Sequence, residues 1–131
     1  MSTTTNKSGT DTHGKFALWT ALVIALILVA LLSVEYTKLK LDISYANEQI
    51  AIFVASKNSS ASMTNPKKLA GLLDYLVRYY PSGTKQEKGT QLDRIVEEMR
   101  FIVIASIISR LRTTTGVDHG NDPQLWIDEY L

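Results

Sequence analysis

Residues 16–34 read FALWTALVIALILVALLSV, nineteen consecutive positions without a charge, interrupted only by the hydroxyls of Thr20 and Ser33. As an α-helix rising 1.5 Å per residue, such a run covers roughly 28 Å, close to the ~30 Å hydrocarbon thickness of a bilayer. A helix is also the form in which the backbone polar groups of a membrane-crossing segment satisfy one another. Trp19 near one end and Tyr36 beyond the other stand where amphipathic aromatics settle at the two interfaces, and Lys15, Lys38 and Lys40 can extend outward to water. The stretch therefore predicts a transmembrane helix. A cleavable signal peptide is the competing reading, but it calls for a shorter apolar run followed by a small-x-small site, and Leu31-Leu32-Ser33-Val34-Glu35 provides none.

Outward from this stretch, the rest of the 131-residue chain is compositionally ordinary. It carries 14 Lys and Arg against 13 Asp and Glu, and it has no cysteine, which excludes a disulfide framework and a thiolate metal site. The leader, residues 1–15, is built from Thr, Ser, Gly, Asn and Lys without apolar periodicity and predicts a disordered tail. Two lysines flank each side of the span, so charge counting alone leaves orientation balanced. The contact of Lys15 with the apolar run and the free amino terminus favour a cytoplasmic amino end and an extracytoplasmic domain over residues 35–131.

That domain reads as helical. Leu39, Ile43, Ala46, Ile50 and Phe53 recur at spacings of 4, 3, 4 and 3, one face of a helix running to about Lys57. It either packs on its own domain or forms a short parallel coiled coil with a second copy. A polar loop over 58–65 is expected next, with Asn65-Pro66 as N-cap and first helical residue of a second helix. Its apolar face is Leu69, Leu72, Leu73, Leu76, Val77 and Tyr80, and Pro81-Ser82-Gly83 ends it. Thr90, followed by Asp93 in the position of a capping-box acid, opens a third helix that closes at Gly116. This helix is apolar nearly all round between Arg100 and Arg110, yet too short to span a bilayer. Asp122-Pro123 then opens a short fourth helix that carries Trp126 back to the core. The fold class expected is all-α, a single transmembrane helix followed by three main helices and a short C-terminal one.

The run from Leu111 to Trp126 resembles the L-R-x-x-T-G-x-D-x-G-x-D-P-x-x-W tail that follows the last helix of many bacterial HEAT-like repeat modules. With YYPSGTKQ and LDRIVE upstream, the chain resembles small bacterial single-pass membrane proteins of uncharacterised function. The resemblance implies a HEAT-like helical hairpin, a bacterial source, and binding as the usual role. Gly116, Asp122, Pro123 and Trp126 would have local jobs in that tail as helix terminator, cap, first helical residue and core anchor. No internal repeat of the length a solenoid needs accompanies it.

The titratable clusters carry little chemistry. His13 and His119 are far apart and single, short of a metal site. Asp118, Asn121 and Asp122 lack the spacing of a calcium loop. Ser82-Gly83-Thr84-Lys85 has neither the order nor the context of a phosphate loop. Asp93, Arg94, Glu97, Glu98 and Arg100 read as a solvated, ion-paired helix face. No catalytic residue, cofactor or metal is expected, and nucleic-acid binding has no support in a net charge of +1. Two surfaces remain as candidates. Phe101, Ile104 and Ile108, on the over-apolar third helix, suit docking on a partner protein or a second copy. Lys67, Lys68, Arg78, Lys85 and Lys88 would form a basic patch for anionic headgroups. Between Lys57 and Arg112 there are ten basic and five acidic residues, and from Thr113 onward four acids and no Lys or Arg.

Overall fold

The structure, a computed structural model, describes the backbone from Thr10 and the side chains from Gly14 onward to Leu131. Four helices make up its regular structure: α1 (Thr10–Ala61), α2 (Pro66–Arg78), α3 (Gln91–Thr115) and α4 (Pro123–Tyr130). Among the described residues there is no strand, and the chain is all-α. Of the tail expected over 1–15, residues 1–9 lie outside the described residues, and Thr10 to Lys15 belong to α1.

The chain divides into two compact units, one ending at Lys40 and one spanning Leu41–Leu131. The first contains the apolar run 16–34, long and apolar enough to cross a membrane, with none of its window buried within the protein. Its hydroxyls are satisfied locally: Thr20 donates to the Phe16 carbonyl at 3.0 Å and Ser33 to the Val29 carbonyl at 2.7 Å. In lipid these bonds remove the cost of an unpaired hydroxyl.

The second unit is built on α2, α3, α4 and the last five turns of α1. Helix α1 continues past the expected stop at Lys57, because no Gly or Pro interrupts residues 15–61 and the serines at its end bond back to the backbone. Ser60 Oγ donates to the Lys57 carbonyl at 2.7 Å and the Met63 amide to the Ser60 carbonyl at 3.1 Å, which shortens the loop to Ser62–Asn65. The α1 face turned inward is Ala46, Gln49, Phe53, Ser56 and Ser60, while Ile43 stays exposed. Of the apolar register Ala46 and Phe53 are fully buried and Ile50 packs partly buried against the core, with Gln49, Ser56 and Ser60 buried beside them.

Capping sets the other boundaries. Asn65 Oδ1 accepts from the Lys68 amide, Thr90 Oγ from the Asp93 amide, and Asp122 Oδ1 from the Gln124 amide. Gly116 closes α3 in the left-handed conformation, φ 72°, with its amide on the Arg112 carbonyl at 2.9 Å. Leu69, Leu73 and Leu76 of α2 share one core with Val96, Val103, Ile107 and Leu111 of α3, and Phe53 and Trp126 belong to the same cluster. Each such side chain contributes about 1.5–3 kcal/mol on burial. Trp126 is further tied by its Nε1–H to the Gly120 carbonyl at 2.9 Å, and Arg112 holds that turn through Asp118, Gly120 and Asn121.

Two residues of the expected solvated face of α3 are interior. Asp93 is 3% exposed and Arg100 6%. Neighbouring backbone bonds to the Asp93 carboxylate and to both terminal nitrogens of Arg100, while Arg100 Nε is buried without a partner among the described residues.

Candidate functional site

Helix α2 ends at Arg78, and the residues after it take an unusual path. Tyr80 adopts φ 37°, a left-handed conformation that costs a non-glycine residue of order 1–3 kcal/mol. It is held there by two interior side chains that converge on its carbonyl oxygen. Arg100 of α3 donates one terminal nitrogen to the Tyr80 carbonyl and the other to the Leu76 carbonyl at 2.8 Å. Gln49 of α1 donates to the same Tyr80 carbonyl at 3.4 Å and accepts from Gln86 Nε2 at 2.8 Å. The Arg100 guanidinium lies over the Phe53 ring, 5.2 Å from its centroid. Three segments distant in sequence therefore fix one peptide.

The consequence is a cluster of tyrosines presented at the surface. The Tyr75 and Tyr79 rings lie 5.1 Å apart, and Tyr79 meets Tyr80 edge-on at 4.7 Å. Tyr75 is 45% exposed and Tyr80 40%. Lys85 covers the Tyr80 ring, with Nζ 4.3 Å from its centroid and 4.6 Å from that of Tyr45. Burial, followed by the neighbouring Tyr75 and Glu48, raises the Tyr79 phenol above its ordinary range. Around these rings opens a groove of about 530 Å³, bordered by Asp74, Tyr75, Arg78, Tyr79, Tyr80 and Pro81. Asp74 and Arg78 pair across one turn at 2.6 Å, which leaves the border electrically neutral.

The loop beneath is braced by Asp93. Its carboxylate accepts from Ser82 Oγ at 2.7 Å, the Gly89 amide at 2.9 Å and the Gly83 amide at 3.2 Å. Burial pushes the carboxyl up, but the hydrogen bonds from Gly89, Ser82 and Gly83 outweigh it and hold Asp93 below the ordinary carboxylate range. The Thr90 amide goes to the Glu87 carbonyl at 3.2 Å, so the expected reciprocal capping box is replaced by a one-sided cap with its acid turned to the loop.

Phe101, Ile104 and Ile108 do come together, lining a recess of about 150 Å³ with Ala105, Arg112 and Asn121. Phe101 is 72% exposed and Ile104 half-buried, but Ile108 is 2% exposed and belongs to the core. Its i+7 relation to Phe101 places it on the same edge of α3, and that edge turns inward by the second turn. Three of the five expected headgroup residues stand on α2, and Lys85 and Lys88 lie in the segment between α2 and α3. Lys67 and Lys68 lie in the first turn of α2 and Arg78 in its last, roughly 15 Å along the axis. Arg78 is paired with Asp74, and Lys85 is stacked on tyrosines. Tyr75 and Tyr79 escaped the sequence reading, and the signal present was their i, i+4 spacing beside Tyr80. Among the described residues no group of three His, Asp or Glu is placed to hold a metal ion.

No protein-family model, curated protein or solved structure matches the chain.

Proposed function

We propose that the chain is a non-enzymatic, membrane-anchored helical module that docks on another protein near the membrane surface, with its amino end cytoplasmic and the helical unit outside. The observation that carries this reading is the strained Tyr80 peptide, locked by buried Arg100 and Gln49, which holds Tyr75, Tyr79 and Tyr80 around the groove. Tyrosine and arginine dominate protein-interface hot spots, because rigid aromatic rings supply contact area at small entropic cost. The neutral border suits an uncharged segment of the partner that inserts an apolar or aromatic side chain. The orientation rests on the adjacency of Lys15 to the span.

The test uses the full-length protein in its membrane, with a photo-crosslinking amino acid at Tyr75, at Pro81 or, as a control, at Glu129. One adduct of the same mass from positions 75 and 81, absent from 129 and lost in a Tyr80→Ala variant that still melts as a folded unit, is the expected result. Lipid adducts alone, or equal labelling from all three positions, would refute groove docking. Since the chain has no cysteine, a single Ser59→Cys variant labelled by an impermeant maleimide from outside the cell checks the orientation.

A further inference from the structure

A second cleft, away from the tyrosine groove, lies between the last turns of α1 and the carboxyl half of α3. It measures about 350 Å³, within the ~300–1,000 Å³ range of small-ligand pockets, and is bordered by Lys57, Asn58, Ser60, Ser106, Ser109 and Arg110. Its border holds two cations and no carboxylate. That composition sets it apart from the surroundings of the other arginines at clefts or in the core. Arg78 faces Asp74 at 2.6 Å, Arg100 faces Glu97 at 3.2 Å and Arg112 faces Asp118 at 2.7 Å. Arg110 and Lys57 face no acid among the described residues.

The donors are also arranged. Arg110 gives its Nε–H to the Met63 carbonyl at 3.1 Å, which orients the guanidinium and leaves both terminal nitrogens uncommitted. Ser60 and Thr113, which also borders the cleft, spend their hydroxyl protons on the Lys57 and Ser109 carbonyls. Ser106 and Ser109, one turn apart on α3, keep theirs among the described residues. A planar guanidinium fork, an ammonium and two hydroxyls, with no competing acceptor side chain of full charge, form a receptor for an oxyanion. Two uncompensated positive charges match a dianion better than a carboxylate, which would leave one of them unneutralised.

We propose that this cleft binds a phosphate monoester, held by Arg110 and Lys57 and by the hydroxyls of Ser106 and Ser109. The monoester is either a small soluble phosphate or the headgroup of a lipid such as phosphatidic acid, and the chemistry at the cleft is the same. Because the second ionisation of a phosphate ester falls near pH 6, binding strengthens as pH rises from 5 to 7.

The test titrates the full-length protein in phosphatidylcholine nanodiscs with glycerol 3-phosphate, and separately varies the phosphatidic acid content of the discs. Saturable binding with a Kd below about 1 mM, weakened at least tenfold by Ser109→Asp and by Arg110→Gln, is expected. Arg94→Gln, which removes an exposed cation of α3 outside the cleft, leaves it unchanged. Ser109 is exposed, so Ser109→Asp introduces a competing carboxylate without disturbing the core. Lys57→Gln, at another exposed position, is the second variant should the first melt early. Saturation by glycerol phosphate identifies a soluble ligand, and saturation only with phosphatidic acid identifies the headgroup. Absence of saturable binding to both, or wild-type binding retained in Ser109→Asp and Lys57→Gln, overturns the proposal.

Discussion

The span at 16–34 and the α3 stretch between Arg100 and Arg110 are both apolar around most of their circumference, yet they meet different surroundings. Every large side chain of the span is about half exposed or more, on all sides of the helix. In α3 the exposure is one-sided: Val103 and Ile107 are sealed, and Phe101 is largely exposed. The flanking charges differ correspondingly. Lys15 and Lys38 bracket the span from outside, whereas Arg100 turns into the core and bonds to the end of α2. Apolar periodicity says that a helix leaves water; length and the fate of the nearest charges say whether it enters lipid or protein.

Substitutions that move one region but not the other break or sharpen this contrast. The largest effect is expected for Trp126→Ala, which removes the largest buried side chain of the core and about 3–5 kcal/mol from unfolding of the helical unit, read by circular dichroism of the full chain in micelles. Membrane fractionation of that variant should be unchanged. Leu26→Arg is its counterpart. A charge at the centre of the span costs about 2.5–3.5 kcal/mol of insertion, so the membrane-bound fraction should fall while the melting temperature of the helical unit holds.

A smaller, pH-dependent effect is expected at Asp93. Its folded-state carboxyl lies below its unfolded value, so its stabilisation is present above the unfolded pKa near 3.8 and disappears as pH falls through the folded value. Acid titration of wild-type stability should show a loss below about pH 4. In Asp93→Asn that acid-dependent part should be missing from an already lower baseline. The smallest effect is expected for Phe101→Asp, within about 0.5 kcal/mol of wild type, since the ring is largely in solvent. A large destabilisation there would mean that the Phe101 edge is packed like Ile108.

Much of the architecture was legible in the residues themselves. The helix over the apolar run 16–34, long enough to cross a membrane, the caps at Asn65, Thr90 and Asp122 and the stop at Gly116 all depend on local chemistry, and each is where the local signal places it. The helical continuation through Asn58 and Ser59 was not legible, because a serine-rich segment looks like a loop until its hydroxyls are seen bonded to the preceding turn. Nor was the tyrosine groove. Its geometry depends on Gln49, Gln86 and Arg100, which are polar residues that ordinary patterning assigns to the surface, and their contacts join positions 20 to 37 residues apart. The left-handed backbone of Tyr80 has no local marker, since neither glycine nor asparagine occupies the position.

The placement of Trp126 has a consequence for synthesis. Core completion waits for α4, whereas the apolar run 16–34 is available to the membrane as soon as it leaves the ribosome. At about 5–20 residues per second, the interval between the emergence of Val34 and that of Trp126 is on the order of 5–20 s. Leu69, Leu73, Leu76 and Val103 each emerge before Trp126, the largest side chain of the core cluster they share. For that time the nascent chain carries an open apolar core, and chaperone demand should concentrate in this window.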